Sequence, residues 1–119
     1  QGLDPIAATA APRWFTASFI DNHPDVVKAL SDALAAGSSE GYASCCDALS
    51  VADTREQLQN IRVPVTVVAG IEDPVTTVAD GQYIVDHIPS AKLATINASH
   101  ISNIEQPEAL NEYIKYYLQ

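Results

Sequence analysis

The chain has 119 residues and a mass of 12.7 kDa, which leaves room for one domain and excludes an elaborate multidomain machine. Hydrophobic residues make up 47% and charged residues 18%, a soluble globular composition rather than a disordered or fibrous one. Fifteen acidic against six basic side chains give a net charge of −9, which repels nucleic-acid phosphates and anionic membranes, so neither is an expected partner.

In chain order, the first half reads helical. It begins at Gln1 rather than Met, without a basic segment leading into an apolar one, so the natural beginning is expected elsewhere and no secretory leader is read. Ala10 to Ile20 is a short segment carrying Pro12, Arg13, Trp14, Phe15 and Phe19. Pro24 is placed to open a helix, with Val27, Leu30 and Leu34 at helical spacing. Gly37 is expected to close it in the left-handed conformation, and Ser38 or Ser39 to cap the next helix. There Tyr42, Cys45, Cys46 and Leu49 share one face, which predicts inward-facing thiols. Adjacent cysteines make a strained disulfide, so two reduced thiols and a cytoplasmic setting are expected. Asp53 or Thr54, followed three residues later by Glu56 or Gln57, predicts a capping box and a short helix through Leu58.

At about Ile61 the pattern changes. Val63 to Ala69 is rich in β-branched residues and ends at Gly70, which predicts a strand apolar on both faces, as in a parallel sheet covered by helices. It is far short of the roughly 20 apolar residues of a membrane span. Thr77 to Ile88 reads as a helix stopped by Pro89, with Val78, Ile84, Val85 and Ile88 towards the sheet, and Lys92 to Ile96 as a second strand. Pro107 opens a last helix with Leu110, Ile114, Tyr117 and Leu118 on its apolar side. The ending is βαβα, which implies parallel strands.

In open parallel sheets, functional groups collect beyond the carboxyl ends of the strands. Gly70-Ile71-Glu72-Asp73-Pro74 follows the first strand and Asn97-Ala98-Ser99-His100 the second. A carboxylate and an imidazole brought to one sheet edge can hydrogen-bond, the acid fixing the tautomer of the base. Read alone, Asp73 before Pro74 is a turn or cap residue, and His100, like His23 and His87, a loop histidine satisfied by backbone. Jointly, Asp73 and His100 form two thirds of a catalytic triad, with Glu72 a second-ranked acid that alternation points elsewhere. No zinc spacing or glycine-rich phosphate loop is present, so no metal or cofactor is expected.

Val-Pro-Val-Thr-Val-Val-Ala-Gly-Ile-Glu-Asp-Pro-Val-Thr at 63–76 and Ser-His-Ile-Ser-Asn-Ile-Glu-Gln-Pro at 99–107 resemble the C-terminal part of α/β-hydrolase-fold enzymes. With Arg13-Trp14-Phe15 and Gly41-Tyr42-Ala43-Ser44-Cys45-Cys46-Asp47-Ala48-Leu49, the likeness narrows to the 3-oxoadipate enol-lactonase family of the β-ketoadipate pathway and covers nearly the whole chain. The resemblance implies an α/β fold, with 1–49 as a helical cap and its return to the core, and 50–119 as the C-terminal part of the core. It implies Asp73 as triad acid, His100 as base and Trp14 as pocket wall, with Arg13 a candidate partner for a substrate carboxylate. One departure is decisive: the family's Gly-x-Ser-x-Gly nucleophile elbow is absent, and Ser38, Ser39, Ser44, Ser99 and Ser102 lack its strand–turn–helix setting. The expected partners are therefore an N-terminal half supplying the serine and a small lactone or ester substrate. The readings left open are another hydrolase, such as a broad esterase or a cofactor-free perhydrolase, and a non-catalytic binding or assembly module.

Overall fold

The computed structural model describes residues 2–118. It opens with short helices α1 (Asp4–Ala7), α2 (Ala11–Trp14) and α3 (Ala17–Asn22), followed by α4 (Pro24–Ala35) and α5 (Ser39–Val51). A 3-10 helix (Arg55–Asn60) leads into β1 (Val65–Gly70), α6 (Val78–His87), β2 (Ala91–Ile96), α7 (Ser102–Glu105) and α8 (Pro107–Leu118). Proline stands in the first turn of α1, α2 and α4 and at the start of α8, where its missing N–H costs nothing. Thr16 caps α3 and Ser38 caps α5.

The strands pair in parallel, Val65 opposite Ala91 through Gly70 opposite Ile96. β1 begins after Pro64, two residues later than the apolar run. Helix α6 lies across both strands, and Gly81 makes this possible: a Cβ there would stand 3.2 Å from Leu93 Cδ1 and 3.3 Å from Val67 Cγ1, so any larger residue lifts the helix. The helix starts with a capping box, Thr77 accepting from the Asp80 N–H while Asp80 accepts from that of Thr77. On the other side of the sheet the Thr66 and Tyr117 hydroxyls meet, which anchors α8.

Three expectations fail. Cys45 and Cys46 are exposed, and no residue of α5 is buried; the apolar spacing is real, but no described element covers that face. No described glycine has positive φ, so Gly37 is not a left-handed cap. A Cβ at Gly37 would lie 3.0 Å from the Leu34 carbonyl and 3.3 Å from Leu3 Cδ1, so its small size admits α1 beside the end of α4. Thr54 makes no capping bond, because Asp53 turns to Arg55, accepting from its Nε at 2.8 Å and its backbone N–H at 3.1 Å, and a 3-10 helix follows.

The buried apolar residues form two groups, Leu3, Ala7, Ala10, Phe15 and Val27 among the N-terminal helices, and Ala69, Ile88, Ile96 and Ala98 around the sheet. The rest is open. The accessible surface is 8070 Å², against roughly 6,200 Å² for a compact monomer of this mass. The radius of gyration is 16.2 Å, against roughly 13.5 Å for a compact domain of this length. Leu49 and Leu118 are 76% and 79% exposed, and among the described residues β1 pairs only with β2. No described helix is long and apolar enough to cross a membrane.

Candidate active site

Both loops beyond the strand ends are laced together by backbone. Ile71 N–H donates to the Ile96 carbonyl at 3.0 Å and Glu72 N–H to that of Ala98 at 3.1 Å. The crossing is so close that a Cβ on Gly70 would fall 2.5 Å from the carbonyl oxygens of both Ala98 and Ser99. Only glycine fits where the chain returns towards His100.

Asp73 and His100 meet at this crossing. His100 Nδ1–H donates to Asp73 Oδ2 at 3.0 Å, and the two oxygens of Asp73 divide their work. Oδ1 accepts the N–H groups of Val75 at 2.7 Å and Thr76 at 3.0 Å, the turn geometry expected of an Asp-Pro step. Oδ2 accepts the Thr76 hydroxyl at 2.8 Å and the imidazole. Thus one carboxylate makes both the turn contacts and the bond to His100. Burial raises the acid's pKa, but the bonds from His100, the Val75 and Thr76 N–H groups and the Thr76 hydroxyl outweigh it, leaving the carboxyl below its ordinary value.

The side chain of Asp73 is 6% exposed and that of His100 34%, so the carboxylate is sheltered while the imidazole keeps a face to its surroundings. With Nδ1–H directed at Asp73, Nε2 carries the lone pair that accepts a proton. A cavity of about 310 Å³ adjoins the pair, with Thr76, Asp80, Ser99 and Ser102 in its wall.

Other candidates are placed differently. Glu72 is exposed, and its carbonyl, not its carboxyl, accepts the Ser99 hydroxyl at 3.3 Å. Trp14 is half-buried, its ring edge-on to Phe15 with centroids 6.5 Å apart, and its carbonyl accepts the N–H of Ile101 at 2.9 Å. Arg13 is exposed in the last turn of α2. His87 Nδ1–H donates to the Tyr83 carbonyl at 2.7 Å, and His23 stacks against Phe19 with centroids 4.5 Å apart.

Sequence reasoning passed over Thr76 and Glu105. Thr76 was legible as the third residue after Asp73, within the Asp-Pro turn. Glu105 gave no signal beyond its place in the 99–107 motif, because its partner Thr16 lies 89 positions away in sequence.

The crystal structure of the enol-lactonase from Burkholderia xenovorans superposes with a TM-score of 0.95 at 36% identity, over 99% of this chain and 45% of that one. The fold is that of the C-terminal part of an α/β hydrolase. The chain is 59% identical over 115 residues to 3-oxoadipate enol-lactonase 2 of Acinetobacter baylyi, covering 97% of this chain and 43% of the relative. It is 41% identical over 108 residues to 3-oxoadipate enol-lactonase 1 of the same organism, covering 91% and 41%. It thus spans less than half the length of the curated relatives it matches. No family model matches the chain.

Proposed function

We propose that this chain supplies the acid and base of a serine hydrolase that opens 3-oxoadipate enol-lactone to 3-oxoadipate. The observation that carries the reading is the bond between His100 Nδ1 and the sheltered Asp73 at 3.0 Å, at the strand ends where parallel sheets place their chemistry. The similarity to enol-lactonases supports the substrate.

In this reading residues 1–49 are cap and 50–119 core, and the nucleophilic serine belongs to polypeptide outside this chain. His100 Nε2 takes the serine proton as the oxygen attacks the lactone carbonyl, and Asp73 stabilises the imidazolium. The tetrahedral intermediate collapses by breaking the ring C–O bond, with His100 giving its proton to the leaving enol oxygen. Water, deprotonated by His100, then attacks the acyl-enzyme, and the proton returns to the serine. The product is released with a new carboxylate, and its enol tautomerises to the ketone of 3-oxoadipate. A protein of net charge −9 does not attract an anionic lactone from a distance, so a local cation must hold it. Arg13 is the proposed cation and Trp14 the proposed pocket wall.

The test is His100→Ala in the hydrolase containing this chain, assayed on the enol-lactone and on 4-nitrophenyl acetate. Loss of turnover by at least about 10⁴-fold on both is expected. Unchanged turnover overturns the assignment of the base; ester hydrolysis without lactone opening in the unaltered enzyme overturns the substrate.

A further inference from the structure

We propose that Glu105 is a positioning residue that holds His100 in register by bridging the base's loop to Thr16, a role that rests on the hydrolase reading above. Glu105 ends α7 and is 8% exposed. None of the ion pairs among the described residues includes it. A carboxyl at that depth is costly unless its oxygens are met by donors, and here they are. Oε2 accepts the N–H of Ser99 at 2.8 Å. Oε1 accepts the N–H of Thr16 at 3.2 Å and the Thr16 hydroxyl.

These bonds act on both sides of the base. Ser99 immediately precedes His100 and is tied by its N–H to Glu105, while Ile101 immediately follows and is tied by its N–H to the Trp14 carbonyl at 2.9 Å. His100 therefore sits between two backbone anchors that both lead to residues 14–16. Asp73 sets the rotation of the ring; the anchors set where the ring stands. Proton transfer demands placement within a fraction of an ångström, and a misplacement of about 1 Å costs on the order of a hundredfold in rate. Ser99 alone could satisfy its N–H with water or a nearer carbonyl, which would leave the loop independent of α2 and α3. The glutamate instead makes the position of the base depend on the segment that carries Trp14.

Glu105→Gln keeps the shape but replaces one acceptor oxygen by an amide that faces a donor, so either the Ser99 or the Thr16 arm must break. In the hydrolase containing this chain, with 4-nitrophenyl acetate as probe, we expect kcat to fall about tenfold to a hundredfold with KM within about twofold. We also expect the acidic limb of the pH–kcat profile, where a general base is lost to protonation, to move, because the Asp73–His100 bond is disturbed. Thr16→Val removes the hydroxyl arm and should lower kcat in the same direction, and the double variant should fall no further than Glu105→Gln alone. Folded Glu105→Gln enzyme with unaltered kcat and pH profile overturns the proposal, as does a loss that only follows the folded fraction measured by circular dichroism. Should Glu105→Gln fail to fold, Thr16→Val decides: an unaltered kcat and profile overturn the proposal. His100→Ala is run beside them. If it leaves turnover intact, the hydrolase reading fails; if it abolishes turnover while Glu105→Gln does nothing, only the positioning role fails.

Discussion

Asp73 directs Oδ1 at the N–H groups of its own turn and Oδ2 at His100 and the Thr76 hydroxyl, so the turn aims the acid. Asp73→Asn keeps the turn acceptor but can present its amide to Nδ1, favouring the tautomer with the proton on Nε2. Turnover on 4-nitrophenyl acetate should drop on the order of 10⁴-fold, with the fold intact by circular dichroism. The lowered pKa of Asp73 also has a pH consequence. Its contribution to stability is fully present above the ordinary carboxylate value of about 3.9 and disappears as pH falls through the lower folded value. Denaturant titrations below about pH 4 should therefore show a steeper loss of stability for the unaltered protein than for Asp73→Asn. Equal slopes would mean that the turn and the imidazole do not favour the ionised form.

At the scale of elements, the site depends on how closely two loops cross and on how firmly α6 starts. Gly70→Ala puts a methyl group 2.5 Å from two backbone oxygens, so the backbone around Ser99 must shift. A loss of about 1–3 kcal/mol is expected from such overpacking, and because Ser99 precedes His100, kcat should fall beyond what stability explains. Unaltered melting temperature and kcat would show that the crossing is looser than 2.5 Å implies. The start of α6 has an independent control. Thr77→Ala removes both the hydroxyl that accepts the Asp80 N–H and its bond to Asp80, and the midpoint of urea unfolding should drop by the equivalent of about 1 kcal/mol. A midpoint unmoved by Thr77→Ala would mean that packing of Gly81 on the sheet, not the cap, sets where the helix begins.

At the scale of the molecule, the chain shows more surface than its mass requires. The unpaired edge of β1, the bare apolar face of α5 and exposed Leu118 are features that a stable structure covers. We expect the separate 119-residue chain to associate or to unfold without a sharp transition, and both Cys45 and Cys46 to react with a thiol reagent under native conditions. Addition of the proposed N-terminal polypeptide should give one cooperative transition. A monomeric mass by light scattering with two-state unfolding of the separate chain would count against the proposed partner.

The order of the longer helices and of both strands was legible in the sequence, because proline, glycine and the period of the apolar residues act over a few positions, whereas the one-turn helices α1 and α7 were not. The sequence also placed a carboxylate and an imidazole after successive strands, which parallel pairing necessarily brings to one edge. What it could not determine was contact between distant residues. The bridge from Glu105 to Thr16 spans 89 positions, and no local pattern announces it. The thiols show the converse. Their spacing on α5 marks an apolar face correctly, yet burial depends on what lies against that face, and only the tertiary structure decides that. The glycines belong to the same class: Gly70 and Gly81 read as punctuation in the sequence, whereas in the fold they are places where another chain segment comes too close for a side chain.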